Sequence, residues 1–283
     1  MPMSLPSALE LSLDLLRCPT CRARHLHPDR GALRCPVGHT FDIARHGYAG
    51  LLTGARATSG DDAAMVRARD RFLSTGTYAD VRNAAARLAA DAVSDRATVV
   101  DVGCGTGYYL AGVLDQLPGA RGLGMDTSGR ALRSAARAHG RAAAVAWDVF
   151  RPFPLADGVA DVVLNVFAPR NPAEFHRVLR PTGRLIVVRP TGRHLAELRG
   201  RLPAMVTIDP AKEQRLHRVL DPYFKAGVTE QVEYHATLTA ADALDLVTMT
   251  PSARHVNRAD LNGDGPLPDR VTVSVLATSY LPR

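Results

Sequence analysis

Lysine is almost absent: of 35 basic residues only Lys212 and Lys225 are lysines, and the other 33 are arginines. Acidic residues number 28, so the formal net charge is +7, and the isoelectric point is about 9.6. Cysteine is scarce as well, and four thiols in 283 residues exclude a disulfide-dense secreted scaffold. No apolar run approaches the roughly 18 to 20 residues that span a bilayer, so no membrane partner is expected. The N-terminal stretch MPMSLPSALELSLDLLRC lacks a basic leader and sets Glu10 and Asp14 among its leucines. It does not read as a signal peptide, and the expected compartment is the cytoplasm. What is plentiful is ordinary core material: hydrophobic residues make up 46% of the chain, enough for one large domain, alone or with a small one.

A basic chain of this size suits a polyanion. The arginine excess and the many alanines also match a codon bias. Guanidinium groups nevertheless suit phosphates and stacking, whatever the reason for their choice.

Three of the four cysteines fall in the first 35 residues, as Cys18-Pro-Thr-Cys21 and Cys35-Pro-Val-Gly-His39. A C-x2-C pair and a C-x3-H pair have the spacing of a zinc site. Each short turn brings two ligands to one side, and Gly38 eases the second turn. Cys18, Cys21, Cys35 and His39 would close a tetrahedral, structural Zn2+ site with no open position. His25 and His27 fall outside the turns and read as surface residues. A disulfide plus a spare thiol is the competing arrangement, and it suits a reducing compartment poorly.

After Leu52 the stretch TGARATSG (Thr53 to Gly60) reads as a linker. Asp61 and Asp62 can cap a helix carrying Arg67, Arg69 and Arg71, which spread around it. Arg67 and Arg69 are candidates for RNA phosphate contacts, away from any cofactor site. Segments 1–52, 53–96 and 97–283 are the expected zinc module, helical connection and catalytic domain.

From Ala97 the chain alternates strand and helix, so the fold class is α/β, with a doubly wound, mainly parallel sheet. The first strand ends in Asp101-Val-Gly103-Cys104-Gly105-Thr106-Gly107, a turn that lets a ligand approach the backbone. The second ends at Asp126, placed to accept both ribose hydroxyls of a nucleoside. The third ends at Trp147-Asp148 and the fourth at Asn165-Val166-Phe167. After a helix comes Pro181-Thr-Gly183, then the fifth strand, RLIVVRP. The spacing G-x-G-x-G lacks the extra residue of the dinucleotide fingerprint.

This ordered series resembles the class I (Rossmann-like) S-adenosylmethionine-dependent methyltransferases. The resemblance implies that Gly103, Gly105, Thr106 and Gly107 pass the amino-acid part of the cofactor, that Asp126 holds the ribose, and that Trp147 and Asp148 hold the adenine. Further runs narrow the family. Cys35 to Leu52, Arg69-x-x-Phe72-Leu73-x-x-Gly76-x-Tyr78, Val166-Phe167-Ala168-Pro169, Pro190 to Leu198 and Met249-Thr250-Pro251 resemble the bacterial 23S ribosomal RNA guanine-N1 methyltransferases. One branch of these protects producers of macrolides such as tylosin. The implied partner is a hairpin loop of 23S rRNA near the peptide exit tunnel, and a homodimer is also implied. The resemblance adds Tyr78 and His194 as cofactor contacts. The chain departs from the family pattern at Asn165.

Guanine N1 carries a proton and must be brought out of its stack before it can be aligned with a methyl group. Phe167 is the candidate to stack on the base and Asn165 to bond its edge. Asp148, Asp157 and, least of all, His194 are candidate general bases. A small-molecule methyltransferase of antibiotic tailoring and a zinc-containing RNA-binding protein with a degenerate fold are the competing readings. The intact glycine loop and Asp126 speak against the latter.

Overall fold

A computed structural model of the chain describes every residue except 1–4, 55–59, 95, 207–214, 216–217, 257–259 and 262–264. It opens with a short helix, α1 (Ser7–Glu10), and three short strands, β1 (His27–Asp29), β2 (Ala32–Arg34) and β3 (Thr40–Asp42). These form an antiparallel sheet in that order. Two helices follow, α2 (Ala63–Ser74) and α3 (Ala79–Ala90). Asp62 caps α2 as expected, its carboxylate accepting from the backbone N–H groups of Ala64 (2.7 Å) and Met65 (3.0 Å).

The large sheet is built from β4 (Thr98–Val102), β5 (Arg121–Asp126), β6 (Ala142–Ala146), β7 (Ala160–Val166), β8 (Leu179–Pro190), β9 (Phe224–Thr237) and β10 (Arg270–Pro282). Between them lie α4 (Tyr108–Gln116), α5 (Gly129–Ala135), α6 (Pro172–Val178), α7 (Ala196–Arg201) and α8 (Ala240–Thr248). The strand order is β6-β5-β4-β7-β8-β10-β9. β4 pairs parallel with β5 and β7, β5 with β6, and β7 with β8, while β10 runs antiparallel to both β8 and β9. The central strands read as continuous apolar runs because helices or loops cover both faces; every residue of β4 is buried. β8 starts earlier than expected. It pairs from Leu179, and a register shift between Ala160 and Val162 absorbs the Pro181-Thr-Gly183 turn.

One face of the sheet packs against α3, α4 and α8 through Val81, Leu110, Val113, Leu114, Leu246 and their neighbours. The other face is covered largely by the N-terminal segment. Leu9, Leu15, Leu16, Leu33 and Leu51 are each at most 1% exposed and share a cluster with Leu123, Val145, Trp147, Phe153 and Leu155. Burying five leucines this way contributes about 10 kcal/mol.

Backbone bonds tie the same pieces. Ala49 donates to the carbonyl of Ala144 (3.0 Å) and accepts from Ala146 N–H (2.8 Å). Ala49 thereby adds a parallel bridge to the edge strand β6. Asp14 receives both Nη groups of Arg121 at 2.7 and 2.8 Å. The N-terminal segment is therefore docked on the catalytic sheet and shares its core, although the stretch after Leu52 reads as a linker. Of that stretch, 55–59 lies outside the described residues. Its two ends are held, Thr53 by Arg151 (3.0 Å) and Gly60 by Arg254 (2.8 Å), both through their carbonyls.

Candidate active site and metal centre

The two knuckles bring Cys18, Cys21, Cys35 and His39 together, with all four candidate ligand atoms within 4.8 Å of one another. The Sγ atoms of Cys21 and Cys35 are 3.8 Å apart. Tetrahedral Zn–S bonds of about 2.3 Å would hold two sulfurs about 3.8 Å apart. His39 turns Nδ1 inward, 3.4 Å from Cys35 Sγ and 3.7 Å from Cys18 Sγ. Desolvation pushes the Cys35 thiol up, but the His39 ring and the backbone N–H groups of His39 and Val37 outweigh it and bring it down to about 6. A ready thiolate and a closed Cys3His donor set fit a structural zinc ion.

The glycine turn lies at the carboxyl end of β4. Gly103, at φ +78, could not carry a side chain: a Cβ there would stand 2.5 Å from Ala168 Cβ. Gly105, at φ +53, faces Arg69, whose Nη1 would be 2.9 Å from an added Cβ. Beside this turn Asp126 accepts from Gly105 N–H (2.9 Å) and Ser128 N–H (2.8 Å). Asp101 is 1% exposed, and its Oδ2 has no hydrogen-bond partner. Burial and the Asp126 charge push its carboxyl up to about 8. Asp61 stands near as well, and its carboxyl is raised chiefly by burial, with Asp126 adding to the rise. A buried acid with one unpartnered oxygen, amid further acids and over a backbone cradle, fits the cationic ammonium and sulfonium of S-adenosylmethionine.

Trp147 and Asp148 follow β6 directly, both buried. Asp148 Oδ1 accepts from Phe150 N–H (3.0 Å), while Trp147 Nε1 is buried without a partner. Thr106 is buried within the turn.

At the carboxyl end of β7, Phe167 adopts φ +53 and stays 39% exposed. A bulky residue in the left-handed region is strained. Its ring stacks on His194, with centroids 5.9 Å apart and planes 21° apart, and lies 6.3 Å from the rings of both Tyr78 and Tyr109. His194 Nδ1 accepts from Ser274 N–H (3.2 Å), so its proton sits on Nε2, which donates to the Tyr78 hydroxyl (3.2 Å). Burial, aided by the Arg199 charge, lowers His194 to about 4. Tyr78 and His194, over a hundred residues apart, thus form one buried unit beside Phe167.

Four expectations need restating. Asp157 precedes β7 whereas Phe167 follows it, so the two lie at opposite ends of a seven-residue strand, about 20 Å apart. Asp157 is exposed and paired with Arg177 at 2.6 Å, and no general base can act from there. Asn165 is fully buried, and its Nδ2 is bound to the carbonyl of Pro169 (2.8 Å); only its Oδ1 lacks a partner. Its amide therefore first shapes the loop that carries Phe167. Arg69 is not an outward phosphate ligand. It pairs with Asp61 (2.9 Å) and donates to the Met249 carbonyl (2.6 Å), over the cofactor turn. Arg67 alone of the two is exposed. His194, holding its proton on Nε2 and receiving one at Nδ1, has no free lone pair for a base.

Reading the sequence missed Asp101 as a site group and Arg170 altogether. Asp101 stood in the motif already quoted. Arg170 has a buried Nε without a partner, and its guanidinium is lowered first by burial and then by the Arg189 charge, which no local pattern announces.

The fold and the two sites define a class I S-adenosylmethionine-dependent methyltransferase carrying a zinc ribbon. A model described as "Methyltransferase domain" matches residues 99–183, and one described as "RlmA, N-terminal", a zinc ribbon, matches 16–56. A Micromonospora griseorubida protein named for the 23S rRNA guanine-N1 reaction is 45% identical, across 95% of this chain and 98% of its own. The 23S rRNA (guanine(748)-N(1))-methyltransferase of Streptomyces fradiae is also 45% identical, covering 87% of this chain and 88% of that one. YxjB of Bacillus subtilis, named for the guanine-N1 reaction too, is 36% identical over 67% of this chain and 69% of its own. The chain belongs to the 23S rRNA (guanine-N1)-methyltransferase family. Among the described residues no helix is long and apolar enough to cross a membrane.

Proposed function

We propose that the protein methylates N1 of a guanine in a 23S rRNA hairpin loop near the peptide exit tunnel, and that this modification protects its host from tylosin-type macrolides. The observation that carries the reading is Phe167, strained and part-exposed beside the cofactor turn, at a strand end where a base can stack against it. S-adenosylmethionine, when bound, supplies the methyl group. Gly103, Gly105, Thr106 and Gly107 would hold its amino-acid part, with Asp101 facing the ammonium; Asp126 would hold the ribose, and Trp147 with Asp148 the adenine.

The chain's own work is positioning. Phe167 offers a flat apolar face to the extruded guanine, and the Tyr78–His194 unit fixes that face from behind. The Oδ1 of Asn165 is an acceptor suited to the N–H edge of guanine. N1 must give up its proton to a base as it takes up the methyl group, and the chain's residues would hold N1 in place for both. Holding the two partners in line converts a slow encounter into a step within one complex. The rings of Phe167, Tyr78, Tyr109 and His194 would keep water from the site, which favours transfer from a cationic donor. Of the two carboxylates first considered for the base, Asp148 stands at the carboxyl edge of the sheet.

The test is transfer of tritium from labelled S-adenosylmethionine into unmodified 23S rRNA, followed by nucleoside analysis, against small-molecule acceptors. N1-methylguanosine is the expected product. Label in macrolide precursors alone would favour the tailoring reading. The same proposal is of a cytoplasmic protein that works on ribosomal RNA. It also carries a homodimer, whose mass light scattering measures. Raised tylosin tolerance in a sensitive host tests the protective role.

A further inference from the structure

The hairpin turn that joins the zinc ribbon to the edge of the sheet reaches around to touch α5. Gly47 lies where an added Cβ would be 3.7 Å from Ala136 Cβ, and the Tyr48 hydroxyl would be 2.8 Å from a Cβ on Gly129. This contact lines up positive charge from two parts of the chain. Arg45 sits on the turn, while Arg133 lies in α5 and Arg137 in the turn that follows it, just past Ala136. All three are exposed. Arg45 Nε donates to His46 Nε2 (3.2 Å). His46 is lowered, first by desolvation and then by the charges of Arg133, Arg45 and Arg137. Next to the turn an apolar groove is lined by Pro6, Pro28, Ile43 and Gly47, with Arg30 and Arg45 in its walls. Among the described residues none of these four arginines is in an ion pair; the carboxylate of Asp70 nearby is bonded to Ser134 (2.9 Å).

Like charges gathered without an ion-pair partner repel, and an anion that comes to them offsets that cost. Several guanidinium groups spread over one surface suit a chain of phosphates rather than a single one. We propose that Arg30, Arg45, Arg133 and Arg137 form one phosphate-binding surface for the rRNA, shared between the zinc ribbon and α5. The proposal rests on the rRNA reading of the active site. It gives the docked ribbon a purpose: the metal holds Arg30 and Arg45 in register with the helix arginines. Neither Arg133 nor Arg137 belongs to the cofactor turn.

The experiment uses the full, zinc-loaded chain and a synthetic RNA hairpin from the loop that the wild type methylates, or, failing methylation, the matching 23S rRNA fragment. Hairpin affinity is measured by fluorescence anisotropy from 50 to 200 mM salt. Each lost phosphate contact lowers the slope of log affinity against log salt by about 0.7 to 0.9. The double variant Arg133→Gln/Arg137→Gln should therefore lose about 1.4 to 1.8 from the slope. It should raise the KM for RNA while leaving kcat at saturating RNA, zinc content and cofactor affinity unchanged. Arg45→Gln should lower the slope further. Arg87→Gln, on α3 beside Glu230 at the far edge of the sheet, should leave it alone. A folded, zinc-loaded double variant with the wild-type slope and KM overturns the proposal. A wild type that binds the fragment with a steep slope shed by the double variant, yet transfers no methyl group to it, overturns the substrate reading and leaves the surface standing.

Discussion

His194 makes the protein acid-sensitive in a way that can be isolated. Its ring is 8% exposed, it accepts a backbone N–H at Nδ1, and burial holds it at about 4 against 6.5 in the unfolded chain. Protonating Nδ1 would set two donors face to face. The folded state prefers the neutral ring, so the contribution is whole above pH 6.5 and is lost as the pH falls from 6.5 towards 4. At 1.36 kcal/mol per pH unit the full loss is about 3 kcal/mol, of which about 2 falls between pH 6.5 and 5. His194→Gln keeps an acceptor for Ser274 and a donor for Tyr78 but does not titrate. Urea unfolding of both proteins from pH 5 to 7.5 should show the wild type losing about 2 kcal/mol more than the variant below pH 6.5. Parallel stability curves would refute the assignment of a buried, neutral His194.

Asp101→Asn should raise the Tm of the cofactor-free protein, because it removes an acid that burial has pushed up to about 8. The gain should grow between pH 4 and 8, while calorimetry should show weaker S-adenosylmethionine binding by about 1.5 to 3 kcal/mol, as for a lost bond to a charged group. Gly103→Ala forces Ala168 aside and strains the backbone. It should cost about 1 to 3 kcal/mol in denaturant unfolding and lower kcat through the displaced Phe167 loop. A chain starting at Asp61 should aggregate on purification, since the leucines it loses cover the sheet; a soluble, cofactor-binding fragment would show the shared core to be dispensable. Cys35→Ala should release zinc, measured by elemental analysis, and lower the Tm of the whole chain in a single transition rather than melt the ribbon alone.

Much of the site is legible in the sequence because its logic is local. Cys18 to His39 declare their site by spacing, and Gly103 to Gly107 declare theirs by a turn that only small residues can make. The β4 and β7 runs are apolar on both faces, so the strands and their ends stand out. Asp157 shows a correctable error: it precedes its strand, and strand polarity alone removes it from the carboxyl edge. Other features depend on contacts between distant residues. Nothing near Arg69 signals that it turns inward to Asp61 and Met249. The pairing of Ala49 with β6 likewise joins residues nearly a hundred positions apart, and a polar stretch after Leu52 looks like any linker.

That pairing sets an order of events during synthesis. The ribbon leaves the ribosome long before β6, the strand it is to cover, so for that interval it has no sheet to rest on. Metal is what lets so small a piece hold its shape while it waits. When Ala142 to Ala146 emerge, a preformed Ala49 meets them and closes an edge that would otherwise invite a second chain. Translation without zinc is therefore expected to leave that edge open to strand-to-strand association, seen as more aggregated chain when the metal is added only after synthesis.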